Sequence, residues 1–182
     1  MSQHTGYESV PHGTYDEFKA ATIYQGWNVD YAYGNQCWDL VALLYWQYGL
    51  TLQTGNGYAY SCWTMRRSAN SQPPFYSVEG KENIKRGDII VWNRTNSSAT
   101  GHIAFADEDY NGTNYINSFG QVPGIHGING TAQVDRLNLY DFLGIFRNQN
   151  WQTTPPPTPS SKRTKKGFPW AVAWNHWDNF KI

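Results

Sequence analysis

The stretch that most constrains this chain is Cys37-Trp38-Asp39-Leu40-Val41-Ala42-Leu43-Leu44-Tyr45-Trp46, which is apolar on nearly every helical face. A helix of that kind is stable only when surrounded by protein, so the chain must fold around it. Gly49 stops it, and a polar, glycine-punctuated loop through Tyr33-Gly34-Asn35-Gln36 delivers Cys37 to its first turn. Amide groups at a helix start are unpaired and carry partial positive charge, which biases a thiol there toward the nucleophilic thiolate. Two readings of Cys37 stand side by side: a reactive nucleophile, or a small apolar core residue of the kind free cysteine commonly is.

Around this helix the pattern is mixed. Residues 14–25 read as a helix, with Thr14 capping against Glu17 and Tyr15, Phe18, Thr22 and Ile23 on one face. Residues 50–80, rich in glycine and proline, read as irregular, with a short helix over Ser61 to Ala69. From Lys85 the period changes to that of strands: Ile89-Ile90-Val91-Trp92, His102-Ile103-Ala104-Phe105-Ala106, and Asn114 to Phe119, joined by tight turns, predict an antiparallel meander. Leu143 to Arg147 reads as a closing strand. Helices followed by a run of strands predict an α+β domain whose N-terminal helices pack on an antiparallel sheet.

The composition changes after Trp151. Residues 153–166 hold four prolines in five residues and then a Ser/Lys run, a solvated spacer by chemistry. Residues 1–152 carry 9 basic and 13 acidic side chains, residues 153–182 carry 5 and 1. The expected organisation is therefore a folded body over 1–152, a basic proline-rich linker over 153–166 and an aromatic segment over 167–182. In that segment Trp170, Trp174 and Trp177 share one face of a docking helix. The Lys162-Arg163-Thr164-Lys165-Lys166 run sits on the linker beside an acidic body, which favours a spacer over nucleic-acid binding. The N-terminus lacks the basic start and apolar run of a secretory signal, and no segment approaches the length of a membrane span.

Cys37 and Cys62 show no metal-type spacing; a disulfide between them would silence Cys37. A thiol nucleophile needs a base that can also return a proton, and histidine fits that role. His4, His12 and His176 lie in terminal segments and His126 in a loop, whereas His102 directly follows Gly101 and begins an apolar strand, as a rigid sheet would present an imidazole to a helix start.

Tyr33-Gly34 and Gln36-Cys37-Trp38-Asp39, then Gly87 through Trp92, then Gly101-His102-Ile103-Ala104, then Ser118-Phe119-Gly120-Gln121, resemble the successive motifs of the cysteine, histidine-dependent amidohydrolase/peptidase (CHAP) domain over roughly residues 14–147. The resemblance implies a papain-like (NlpC/P60-like) fold and a peptidoglycan hydrolase, either an N-acetylmuramoyl-L-alanine amidase or a peptide endopeptidase, of the bacteriophage lysin or virion-associated type. Cys37 would attack the amide carbonyl, His102 would serve as base and then acid, and the Cys37 amide with Gln36 would hold the oxyanion. Trp38 and Trp92 would contact substrate. The enzyme would reach the wall from the host cytoplasm through a phage-made pore, or from a virion that the aromatic C-terminal segment docks on. No nucleic acid, membrane or obligatory cofactor is implied.

The chain departs from the family pattern after the third strand, where an acidic residue usually orients the histidine: Gly120 stands at that position, leaving Gln121, or else Asn117, as the expected orienting group. Some phage members bind calcium in the loop before the cysteine, and the matching oxygen donors are Asn28, Asp30 and Asp39, although Asp39 also serves as a helix cap with no metal. The missing acid and the aromatic tail keep an alternative open, a non-catalytic wall-binding or virion structural protein with a CHAP-like fold.

Overall fold

The computed structural model describes residues 3–5, 8–95, 98–122 and 130–152. The expectations for 153–182 and for His126 lie outside the described residues.

Helix α1, Tyr15–Thr22, opens on the capping box read from sequence: the Thr14 side chain accepts the Glu17 N–H, and the Glu17 carboxylate accepts the Thr14 N–H. Helix α2, Cys37–Gln47, is the buried centre. Leu40 through Tyr45 are fully enclosed, and each large aliphatic side chain so buried contributes roughly 1.5–3 kcal/mol. A short helix α3, Ser61–Thr64, runs into a single wide turn at Arg66–Asn70, where sequence suggested one continuous helix.

Six strands, β3 (Phe75–Val78), β4 (Ile89–Trp92), β5 (His102–Ala106), β6 (Tyr115–Gly120), β7 (Gln133–Asn138) and β8 (Phe142–Asn148), form one antiparallel sheet in the order β3-β8-β4-β5-β6-β7. The predicted meander is its centre, and the predicted closing strand inserts beside β4. A second, two-stranded sheet pairs β1 (Gln3–Thr5) with β2 (Gly26–Asn28) in parallel. A four-residue helix, α4 (Gln149–Gln152), ends the described chain; the Trp151 indole is buried against Tyr15, Phe18 and Phe105 and donates to His12 O at 2.8 Å.

Alternation along β5 divides the core. Ile103 and Phe105 pack with α1 and α2 on one face, while Ala104 and Ala106 join Ile90, Trp92 and Ile145 on the other. Beneath the sheet, Arg147 forks onto the fully buried Asp88 carboxylate at 2.7 and 2.8 Å, and Lys85 N–H donates to the same group at 2.7 Å. That ion pair fixes the turn into β4.

Candidate active site

Strands β5 and β6 pair only at Phe105–Phe119 and Ala106–Ser118. Gly120 still lies against Ala104, and the next residue, Gln121, bonds through its side chain to the carbonyl of Gln36 at the start of α2. The backbone N–H of Ile103 lies close enough to the Cys37 sulfur to lower the pKa of the thiol. The thiol therefore lies at the end of β5 beside the residue next to His102. Both cysteines are free, so no disulfide competes with this role.

His102 is held by its surroundings. It pairs with Trp92 across β4 and β5, and the two rings lie 5.4 Å apart, tilted by 44°. Gly101 before it has φ +67°, and a Cβ there would stand 2.6 Å from Trp92 O and 2.7 Å from Tyr60 Cβ, so glycine alone fits. A Cβ built on Gly120 would stand 3.9 Å from His102 Nε2. The position that matches the family's acidic residue thus faces the imidazole, and this chain has no side chain there.

Gln121, expected to orient His102, is placed otherwise. Its side chain is fully buried, its Oε1 accepts the Trp27 N–H at 2.7 Å, and its Nε2 donates to Trp27 O at 3.0 Å and Gln36 O at 2.7 Å. It ties β2 to the start of α2. With residue 120 turned to His102, the next residue turns away, which the period of two requires. Asn117, the other expected partner, donates instead to Glu108 at 3.2 Å.

The start of α2 is organised by Asp39. Its Oδ1 accepts Val29 N–H at 2.8 Å and its Oδ2 accepts Gln36 N–H at 2.7 Å, so the carboxylate caps the helix and closes the 28–39 loop upon it. Burial pushes its pKa up to about 7, and the Asp30 charge adds to the rise. Asp30 itself closes a tight turn by accepting Ala32 N–H at 2.8 Å. Asn28 is buried, and its Oδ1 has no hydrogen-bond partner among the described residues. Val29, the residue between Asn28 and Asp30, is the one that Asp39 holds, so the three expected metal positions share this loop. Their donors are all oxygens, the type a hard cation takes, and the unpaired Asn28 Oδ1 is open to one. Among the described residues no three His, Cys, Asp or Glu side chains form a metal-binding group.

The pull of the helix start toward thiolate is present and is outweighed by burial. Burial pushes the Cys37 thiol up to about 11, and the N–H groups of Ile103, Trp38 and Cys37 lower it without cancelling that cost. In the resting protein the thiol keeps its proton, and alkylation of Cys37 by iodoacetamide at pH 7 should be slow. It should quicken about tenfold per pH unit toward pH 11, followed by peptide mapping. A fast reaction at pH 7 would show that a cation stabilises the thiolate.

Of the two tryptophans expected at substrate, Trp38 is half-buried against the core, and its indole N–H is buried with no partner among the described residues. Trp92 is only 5% exposed and its N–H is taken by Asn138 O at 2.7 Å, so it offers a wall and no free donor. That wall belongs to a cleft of about 490 Å³ alongside His102, which also includes Asn93, Ser98, Asn138 and Asp141. Sequence reading missed this cleft because its far side comes from β7 and the turn after it, where alternation over Gln133–Asn138 is punctuated by charges.

A central helix that begins at a half-buried cysteine and packs on an antiparallel sheet, one strand of which opens on a histidine, defines the papain-like α+β class. The family model for the CHAP domain matches residues 26–121, more than half of the chain, and the chain belongs to that family. The crystal structure of a wild type endolysin, LysIME-EF1, has the same fold: TM-score 0.60 at 20% identity, covering 75% of this chain and 64% of that one. This chain thus spans just under two thirds of that protein's length. No curated protein matches it by similarity. No helix among the described residues is long and apolar enough to cross a membrane.

Proposed function

We propose that the chain is a peptidoglycan hydrolase that cleaves an amide bond of the bacterial wall, as a phage lysin or virion-associated lysin, with Cys37 as nucleophile and His102 as base. The observation that supports this reading is the Cys37 thiol at the start of α2 close to the Ile103 N–H, one residue along β5 from His102, in a CHAP domain. The endolysin LysIME-EF1, which shares the fold, is itself a lysin by name.

The chemistry follows from the raised thiol. Because Cys37 is protonated at rest, the proton moves from sulfur to the His102 imidazole as sulfur attacks the carbonyl carbon. The new S–C bond places negative charge on the carbonyl oxygen, held by the Cys37 N–H at the helix start with Gln36 beside it. The C–N bond then breaks, and the leaving nitrogen takes the proton from His102. Water next attacks the thioester carbon as His102 accepts one of its protons; the C–S bond breaks, His102 returns that proton to sulfur, and the carboxylic acid leaves and ionises in solvent. Gln121 serves this reaction indirectly, by locking the carbonyl of residue 36. Purified protein should clear peptidoglycan suspensions and release new amino groups. Chemical identification of the residue that gains the amine separates amidase from endopeptidase.

Calcium is a proposal of the same rank. Asn28 Oδ1 with the carboxylates of Asp30 and Asp39 would hold it, and its charge would rigidify the loop that carries Cys37. Millimolar calcium should stabilise the protein against heat by about 1–3 kcal/mol, and Asp30→Asn should remove that gain. An unchanged melting temperature with calcium would exclude the site.

A further inference from the structure

The cleft beside His102 has a charge pattern that selects a ligand. Asp141 supplies a carboxylate, and among the described residues no lysine or arginine lines the cleft. The Asp141 side chain makes no hydrogen bond or ion pair among the described residues, although its carbonyl is fixed by Asn93 N–H at 2.7 Å. Arg94 and Arg136, each next in sequence to a lining residue, lie over the Tyr60 and Tyr115 rings, 5.6 and 5.5 Å from the centroids. Trp92 forms another, largely apolar wall. The amide side chains of Asn93 and Asn138 add groups suited to a peptide backbone.

We propose that this cleft is the subsite for an ammonium-bearing wall peptide on the leaving-group side of the scissile bond, with Asp141 as its specificity determinant. The assignment rests on the hydrolase reading for its direction. His102 hands its proton to the leaving nitrogen, so the leaving half lies toward the imidazole, and the cleft begins at that imidazole. An ammonium group entering it meets the Asp141 carboxylate beside the Trp92 wall and, among the described residues, no lining lysine or arginine.

The test is equilibrium binding by the full chain carrying Cys37→Ala, which cannot turn over ligand. The probes are a lysine-containing stem tetrapeptide and the same peptide acetylated on the lysine side chain. The free amine should bind about tenfold tighter. Adding Asp141→Asn should abolish that preference while leaving the acetylated peptide's affinity unchanged, and Asp141→Glu should restore it. Equal binding of the two peptides, no measurable binding of either, or a preference that survives Asp141→Asn would overturn the proposal. Amine release from peptidoglycan by the chain with Cys37 intact scores the hydrolase reading separately. A chain that selects the free amine but cleaves nothing would refute that reading and leave the ligand assignment standing.

Discussion

Cys37→Ala should abolish wall cleavage, lowering the rate by about 10⁴-fold or more, while the protein melts within a few degrees of the parent. Cys62, the second thiol, is fully buried in the core behind α2, so it has no access to a polymer substrate. The alanine retains the helix start, the Asp39 cap and the Gln121 clamp, because all three act on backbone groups. His102→Ala should cost a comparable factor, and combining the two should cost little more, since each change disables the same proton transfer. Release of amino groups from purified peptidoglycan measures both; a Cys37→Ala protein that cleaves at an undiminished rate would remove the mechanism.

Gly101→Ala should be nearly as damaging, although it deletes no reactive group. Its φ of +67° lies in the left-handed region, which costs an L-residue about 1–2 kcal/mol. The added methyl would also stand 2.6 Å from the Trp92 carbonyl oxygen, part of the backbone that pairs with His102 and so unable to yield cheaply. Relief requires the start of β5 to move, and with it the imidazole and the Ile103 N–H. A displacement near 1 Å costs roughly 100-fold in rate. The expected result is a destabilisation of about 2–4 kcal/mol in urea unfolding, together with a fall in turnover that exceeds any loss of folded protein. Full activity in the folded variant would show that His102 is not positioned by this turn.

Much of the fold was legible because its strongest signals are local. The capping box at Thr14 and Glu17, the all-round apolar run from Cys37 and the strand patterns at Ile89, His102 and Tyr115 each carry their own period. Strands β3 and β7 were missed for opposite reasons: Phe75–Val78 follows directly on Pro73-Pro74, and Gln133–Asn138 mixes Asp135 and Arg136 into its alternation. The parallel β1–β2 pair depends on a contact across more than twenty residues, which no local pattern reports.

The site was legible where a residue's identity suffices and not where its direction matters. Cys37 and His102 follow from their motifs. The side on which Gly120 and Gln121 fall depends on strand phase, and one position decides between facing the imidazole and bracing the helix start. The thiol's raised pKa also depends on tertiary burial, which overrides the local pull of the helix start. Asp141 stands far along the chain from Gly101-His102, and only the return of the chain through β7 brings it to the same cleft.

The central claim is a covalent step at Cys37, and the most direct measurement is peptide mapping of the protein after digestion of purified peptidoglycan is stopped in acid during turnover. A fraction of the Cys37 peptide should carry a wall-derived acyl group as a thioester that hydroxylamine removes, and the His102→Ala protein should show none. New amino groups accumulating while Cys37 stays unmodified, with Cys37→Ala equally active, would contradict the account.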